Sequence, residues 1–268
     1  MSEVEVNPVE TTAEPERAEA TSGTGVRAHV TEFFHAAQSL AGTVIIALFV
    51  ITFVIQAFQI PSESMENTLL IGDYLLVDKV GYSPQGSWPT VLPYAPVKRG
   101  EIIVFKWPLK PEQHFVKRVI GLPGDRIRIV SGVVYVNGKE VTEPYVVHKA
   151  AKAILRYRDN FPTGQANSHM TAEWYAEMSK LTRNGELLVP QENYFVLGDN
   201  RDESLDSRYW GLVPRESVVG KPLVIYFSMK QQSEIAGPTP DGKILRLAYL
   251  VWNLPASARW GRTFRFVN

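Results

Sequence analysis

An uncharged stretch near the beginning of the chain limits what this sequence can fold into. No formally charged side chain occurs between Glu32 and Glu63, and residues 40–58 are almost entirely apolar. As an α-helix these residues would be roughly 28 Å long, close to the thickness of about 30 Å of a hydrocarbon core. A helix buried in a soluble domain is rarely apolar on every face. We therefore predict a membrane anchor at residues 36–58.

A cleavable secretory signal is the alternative interpretation of this stretch. The region before it is long and acidic rather than short and basic, because residues 1–35 contain seven glutamates against Arg17 and Arg27. No convincing small-x-small cleavage site follows, so we predict that the anchor is not removed. Lys and Arg are too few near either end to predict its orientation from charge.

Composition divides the rest of the chain. Residues 1–35 have few large apolar side chains, which predicts a disordered acidic N-terminal tail. Residues 59–268 are predicted to form the folded domain, interrupted at 146–188 by a partly helical insertion. Residues 243–268 carry five basic side chains and no acid. For this basic, aromatic C-terminal segment, contact with a membrane interface and packing on the domain both remain open.

The predicted domain has a β pattern. Asn137-Gly138 between two apolar runs is a strong hairpin signal, since it supplies the positive φ angles of a type I′ turn. The other predicted strands are short runs rich in branched and aromatic residues, at 74–80, 101–106, 115–120, 127–130, 192–197 and 223–227.

The available side chains restrict the chemistry. The chain has no cysteine, which excludes disulfides, thiolate nucleophiles and cysteine-ligated metals. Asp199, Asp202 and Asp206 could ligate a divalent cation, but their spacing departs from the EF-hand loop and the intervening arginines compete for them. We therefore predict no metal and no cofactor.

A serine and a lysine are the candidate reactive groups. Ser64 follows Pro61 directly after the apolar stretch, and a serine hydroxyl needs a base to become a good nucleophile. Of the five histidines only His114 lies near the predicted β core, and it cannot be paired with an aspartate by sequence logic. On a strand, Phe115 and Val119 would flank Lys117 on its own face, and burial there would lower its pKa. A structural turn for Ser64 and a lysine extending to solvent from a sheet edge are the alternatives.

Three segments together carry a family resemblance. They read FQIPSESM at 58–65, VKRVIGLPGD at 116–125 and GDNRDESLDSR at 198–208. In this order and spacing they resemble the bacterial type I signal peptidases, membrane-bound Ser-Lys proteases that remove signal peptides from exported preproteins. The resemblance extends over residues from about 40 to 225 and implies an extracytoplasmic, mainly β domain of two antiparallel sheets.

The resemblance also implies a role for each matching residue. Ser64 would be the nucleophile and Lys117 the general base, and the Ser62 hydroxyl with the Ser64 N–H would form the oxyanion hole. Ser204 would orient the lysine amine, Asp206 and Arg208 would form a supporting pair, and Asp199 would be further scaffold. The implied substrate pockets, which admit small residues, are lined by Phe58, Ile60, Met65, Leu69 and Val116.

Two positions depart from the family pattern beside the nucleophile. Glu63 stands where the family often has glycine, and Asn67 stands where it often has proline. Neither supplies the chemistry.

We therefore interpret the chain as a single-pass enzyme of the plasma (inner) membrane, with preprotein signal peptides and the lipid bilayer as its partners and no nucleic acid. One alternative is a Ser-Lys self-cleaving regulator, which would need a DNA-binding helix-turn-helix where this chain has a tail and an anchor. The other is a membrane-anchored, non-catalytic β module that binds exported chains.

Overall fold

The computed structural model describes residues 22–82, 96–149, 158–162, 169–230, 242 and 255–267. The chain forms two compact units, one ending at Phe49 and one beginning at Val50. The predicted disorder of residues 1–21 and the apolar run that begins the basic C-terminal segment lie outside the described residues.

The first unit contains a long apolar helix, α1 (Ser22–Phe49). Glu32–Val54 is long and apolar enough to cross a membrane, with a mean hydropathy of 2.1, and none of it is buried. The helix begins 14 residues before the predicted anchor at residue 36, and no proline interrupts the chain from 16 to 60. The structure therefore corrects the predicted tail, because residues 22–35 are helical.

The predicted end of the anchor is corrected as well. A single π-helical turn, Val50–Val54, follows α1, and the chain then enters strand β1 (Ile55–Gln59). Every residue of β1 pairs with the next strand, β2 (Asp73–Asp78). Phe58 thus belongs to a sheet and not to the helix, because these branched and aromatic residues find strand partners within the second unit.

The larger antiparallel sheet carries most of the predicted strands, in the order β1-β2-β12-β3-β4-β10-β11, and β13 also pairs with β12. The late strand β12 lies between two early ones, so β2 and β3 are joined only through it. The remaining strands of this sheet are β3 (Ile102–Trp107), β4 (Lys110–Gly121), β10 (Asn193–Leu197), β11 (Val213–Pro214), β12 (Val218–Ser228) and β13 (Arg265–Phe266).

The smaller antiparallel sheet has the order β7-β6-β5-β9-β8. Asn137 and Gly138, at φ 54° and 75°, form the predicted tight turn between two of its strands. Two antiparallel sheets in a mainly β domain confirm the predicted fold class. The strands are β5 (Arg126–Val130), β6 (Val133–Val136), β7 (Lys139–Glu140), β8 (Thr182–Arg183) and β9 (Glu186–Leu188).

The predicted insertion at 146–188 is only partly helical, as expected. Helix α2 (Ala172–Leu181) begins at Thr171, whose side chain accepts a hydrogen bond from the Trp174 N–H, and it buries Trp174 and Met178. Residues 182–188, in contrast, form β8 and β9 and belong to the smaller sheet. Their turn is Asn184-Gly185, at φ 52° and 74°, a second hairpin signal of the kind that identified β6 and β7.

The described end of the basic C-terminal segment packs on the domain. β13 pairs with β12 at Val224 and Ile225. Arg262 donates to both carboxylate oxygens of buried Asp73 and to the carbonyl of Thr68. For residues 255–267, the packing interpretation is therefore the one that the structure supports.

Candidate active site

An apolar cavity of about 270 Å³ lies between β1, the turn after it and β4. Four of the five predicted substrate-binding residues line it: Phe58, Ile60, Met65 and Val116. The fifth, Leu69, does not line the cavity, because its side chain is fully buried in the core cluster beneath the turn. The other lining residues are Gln59, Pro61, Ser62, Ser64, His114, Phe115, Lys117, Glu203 and Leu205.

Several of these lining residues escape the sequence interpretation. His114 and Phe115 precede Lys117 on β4, and the Phe58 and His114 rings lie 5.2 Å apart. Leu205 is about half exposed although it is the only large apolar side chain in the polar segment 198–208. An isolated leucine among acids, amides and arginines was the signal that could have identified this wall of the cavity.

Ser64 sits on a short 3-10 turn, Glu63–Met65, that follows extended Ser62. Ile60 and the residues around Asp73 exchange backbone hydrogen bonds, which close the base of this loop. The Ser64 side chain is only 6% exposed. Its backbone carbonyl accepts a hydrogen bond of 3.1 Å from the Asn200 N–H, so the turn is tied directly to the segment after β10.

Lys117 reaches Ser64 from the neighbouring strand. Its Nζ lies 2.5 Å from Ser64 Oγ, and the residue is 3% exposed. Its position on β4 is fixed by pairing with Ile103 of β3, and the Phe115 ring centroid lies 5.5 Å from its Nζ. The structure therefore brings the two predicted reactive groups into direct contact.

Burial changes the acidity of this lysine. Burial is the largest influence and lowers the pKa of Lys117. Asp206 and Asp199 raise it, and Arg208 lowers it, so that the pKa is about 8. A group with a pKa of about 8 is roughly one tenth neutral at pH 7, against less than about a thousandth for an ordinary lysine. Lys117 can therefore accept a proton near neutral pH.

The other predicted hydroxyls lie close to this pair. Ser62 Oγ is 3.4 Å from Ser64 Oγ, and both line the cavity. Ser204 is buried, and its Oγ has no hydrogen-bond partner of ordinary geometry within the described part of the chain, so its expected bond to the Lys117 amine is not formed here. It lies near enough to Asp206 to help keep that carboxyl ionised.

Gly198 creates the space in which these groups meet. A Cβ at this position would lie 2.5 Å from the Ser204 Cβ and 2.5 Å from the Ser64 carbonyl oxygen, and still closer to Ser204 Oγ. Any side chain here would push the turn that carries Ser64 away from the segment after β10.

Asp206 and Arg208 form the predicted pair. Arg208 Nε and one terminal nitrogen each donate to Asp206 at 2.8 Å, and the Gly198 N–H donates to it at 3.1 Å. Burial alone would raise the pKa of Asp206, but the guanidinium and these hydrogen bonds hold it below its usual value. Arg208 also donates to the carbonyls of Arg158 and Arg201, so a buried cation organises several chain segments.

Asp199 connects the nucleophile turn with β4. It accepts a hydrogen bond of 2.5 Å from Thr68 Oγ1 and two from Arg118, at 2.8 and 2.7 Å. Arg118 stacks on the ring of Tyr145, with its guanidinium carbon 3.9 Å from the centroid. Sequence reasoning missed Arg118, although a run of aspartates near a buried lysine needs buried cations to balance it.

The three aspartates considered as metal ligands are all in ion pairs with arginines. Asp199 pairs with Arg118, Asp202 with Arg158 and Asp206 with Arg208. No group of three or more His, Asp or Glu side chains that could hold a metal occurs among the residues that the structure describes.

Comparison with known proteins identifies the family. Residues 33–227 match the family model described as signal peptidase, peptidase S26. Signal peptidase I of Pseudomonas aeruginosa is 35% identical over 210 residues, which are 71% of each chain. Signal peptidase I of Aquifex aeolicus is 34% identical over 253 residues, or 82% of this chain and 94% of the relative.

A solved structure is also similar. The crystal structure of a signal peptidase I from Enterococcus faecalis is 33% identical and covers 47% of this chain and 97% of its own, with a TM-score of 0.35.

The chain belongs to the signal peptidase family, peptidase S26. This confirms the family inferred from the three sequence segments, and with it the class of enzyme, a serine endopeptidase that removes signal peptides.

Proposed function

We propose that this signal peptidase cleaves exported preproteins after small residues, with Ser64 as the nucleophile and Lys117 as the general base. The observation that supports this most directly is the 2.5 Å contact between Ser64 Oγ and Lys117 Nζ in a buried site. Because burial lowers the pKa of Lys117 to about 8, the amine has a neutral fraction that can take the serine proton.

The reaction then proceeds in two halves. Neutral Lys117 accepts the Ser64 hydroxyl proton while Oγ attacks the scissile carbonyl carbon. The lysine returns this proton to the leaving amine, the C–N bond breaks, and the signal peptide remains as an ester on Ser64. Lys117 next takes a proton from water, whose oxygen attacks the ester carbonyl. It returns this proton to Ser64 Oγ as the C–Oγ bond breaks, and the signal peptide is released with a free carboxyl group.

Negative charge develops on the oxygen of the attacked carbonyl, and hydrogen-bond donors close to that oxygen are needed to stabilise it. The Ser62 hydroxyl, which lines the cavity, and the Ser64 backbone N–H are the proposed donors. The Asp206–Arg208 pair and Asp199 hold the loop whose Asn200 N–H donates a hydrogen bond to the Ser64 carbonyl. In this proposal the buried Ser204 hydroxyl orients the Lys117 amine in the substrate complex.

The shape of the cavity supports a preference for small side chains. Its volume of about 270 Å³ is at the lower limit of ordinary ligand sites, and its floor is formed by nearly fully buried Ile60 and Met65. A bulky side chain would have to displace this close-packed floor, whereas alanine would fit above it.

We also propose that the domain lies on the extracytoplasmic side of the plasma (inner) membrane. The apolar segment Glu32–Val54 supports membrane attachment, and Ser64 follows Val54 by only ten residues. A signal peptide in the same bilayer would be confined near the enzyme, which raises its effective concentration.

Cleavage of a preprotein in detergent tests the proposed pair. Ser64→Ala and Lys117→Met should each lose nearly all activity, and methionine keeps an unbranched apolar side chain in the lysine site. The matched control is Lys139→Ala, which removes an exposed lysine of the smaller sheet. Cleavage by either site variant at close to the wild-type rate would refute the proposal.

A further inference from the structure

A short segment beside the active site has no role in the chemistry described so far. Residues 145–149, called the strap here, run next to the segment after β10. Val147 forms a parallel bridge with Asn200, its N–H donates to the Asp199 carbonyl at 2.9 Å, and its carbonyl accepts from the Arg201 N–H at 3.2 Å. The strap is therefore fixed to the same loop that holds the Ser64 carbonyl.

The strap also contacts the nucleophile turn itself. Lys149 Nζ lies 3.3 Å from Glu63 Oε2 and makes a closer ion pair with Glu66. At the other end of the strap, Asn67 donates a side-chain hydrogen bond of 3.4 Å to the Tyr145 carbonyl. Ser64 thus lies on a turn whose flanking residues are bound to one external segment.

These contacts involve both positions where the turn departs from the family pattern. Asn67 has φ +84°, which a proline could not adopt because its ring fixes φ near −65°. Glu63, where the family often has glycine, supplies one of the two carboxylates that meet Lys149. The unusual residues of the turn and the strap therefore form one set of contacts.

Lys149 also removes a repulsion from the turn. Glu63 comes directly before Ser64 and Glu66 comes two residues after it. The Lys149 ammonium group contacts both carboxylates. The contact with Glu66 is the main cause of the raised pKa of Lys149, so this side chain stays charged throughout the neutral range. Without Lys149, the negative charges of Glu63 and Glu66 would repel each other on the turn that carries Ser64.

We propose that Lys149 is a positioning residue that fixes the Ser64 turn by bridging Glu63 and Glu66. The proposal rests on the assignment of Ser64 as the nucleophile. Lys149 does not line the substrate cavity and does not contact Lys117, so it acts on turnover through the geometry of the turn. Its removal should lower kcat and leave KM nearly unchanged.

The size of the effect is bounded by the exposure of the pair. The side chains of Lys149, Glu63 and Glu66 are 42%, 47% and 27% exposed. Exposed ion pairs favour one arrangement by a factor of no more than about five, and positioning cannot gain more than that. We therefore expect Lys149→Ala to reduce kcat about two- to fivefold, and Lys149→Glu to reduce it further because it adds a third acid.

The experiment compares kcat and KM for preprotein cleavage by the full chain in detergent. Lys149→Arg should restore kcat close to the wild-type value and clearly above that of Lys149→Ala, because it returns the cation, and Lys139→Ala should match wild type. In about 1 M sodium chloride, where the Debye length is about 3 Å, wild type and Lys149→Ala should converge. Thermal unfolding of each variant shows whether a loss of folded protein contributes.

A double-mutant cycle then tests the partner. Glu63→Gly should make the turn less dependent on the strap. Lys149→Ala should therefore reduce kcat by a smaller factor in the Glu63→Gly background than in wild type. Unchanged kcat in Lys149→Ala, a change in KM alone, or no rescue by Lys149→Arg would each overturn the positioning role. Failure of the nucleophile assignment would appear separately, as cleavage by Ser64→Ala.

Discussion

At the scale of single residues, the site depends on one lysine kept in an unfavourable environment. Lys117 is nearly fully buried and its pKa is lowered to about 8 from 10.5. The folded chain therefore binds fewer protons than the unfolded chain between these values. By linkage, this group destabilises the fold below about pH 8, and the penalty is relieved as the pH rises toward 10.5.

Replacement of Lys117 should show directly how much its burial lowers the free energy of unfolding. Lys117→Met should raise the free energy of unfolding at pH 7 by up to about 3 kcal/mol, while abolishing cleavage. The difference from wild type should shrink as the pH increases from 8 to 10.5. Denaturation of both proteins in the same detergent across this range measures it, and a variant less stable than wild type at pH 7 would contradict the prediction.

Gly198 should tolerate no side chain. Gly198→Ala would place a methyl group 2.5 Å from the Ser64 carbonyl oxygen, so either the turn or the loop must move. We expect loss of most activity and a destabilisation of about 1–3 kcal/mol. Gly261→Ala is the matched control, because a Cβ there meets nothing within 4 Å. Equal effects of the two substitutions on cleavage would argue against the tight contact.

At the scale of elements, the loop after β10 carries the support of the site. Its Asp206–Arg208 pair is almost completely buried, in contrast to the exposed pair of Glu192 and Arg215. Breaking a buried pair leaves one charge without compensation, whereas an exposed pair contributes little. The same loop also sets the charge around Lys117, because Asp206 raises its pKa.

Asp206→Asn keeps the shape of the side chain and removes its charge. We expect a loss of about 3–5 kcal/mol in the free energy of unfolding, against no more than about 1 kcal/mol for the control Glu192→Gln. In the protein that remains folded, the pKa of Lys117 should fall further, so the acid limb of kcat/KM should move to lower pH. An acid limb that moves to higher pH would contradict this sign.

Local patterns predicted most elements but not all of their boundaries. Asn137-Gly138 identified its hairpin because the turn chemistry is contained in two residues. Asn184-Gly185 carries the same signal, yet its strands are only two and three residues long and depend on pairing with β5. The strand Ile55–Gln59 was missed for the opposite reason, since its apolar residues also continue the helix pattern of the preceding span.

The sequence predicts the candidate site where the reactive side chains lie within short, recognisable segments. Ser64 and Lys117 were proposed in this way, and the fold brings them together, whereas Arg118 and the strap were not predicted. Contacts such as Arg118 with Tyr145 and Lys149 with Glu63 join residues that are 27 and 86 positions apart. Only the tertiary fold makes them neighbours, so no local pattern predicts them.

At the scale of the whole molecule, the absence of cysteine makes the proposed topology easy to test. Lys139→Cys places a single thiol on an exposed position of the smaller sheet, and Thr12→Cys places one in the N-terminal tail. In cells with a permeabilised outer envelope, a membrane-impermeant maleimide should label the first and not the second. After lysis both should react. Labelling of Thr12→Cys alone before lysis would reverse the proposed orientation.

The order of strands in the larger sheet also determines when this enzyme can first act. Ser64 lies in the loop between β1 and β2, Lys117 lies on β4, and the strand that unites their two halves of the sheet is β12 (Val218–Ser228). During synthesis the nucleophile is made about 150 residues before that strand. A chain that stops short of β12 lacks the strand that joins these two halves, so we expect it not to bring Ser64 and Lys117 together. Assembly of the proposed site should therefore be one of the last steps in the synthesis and folding of this domain.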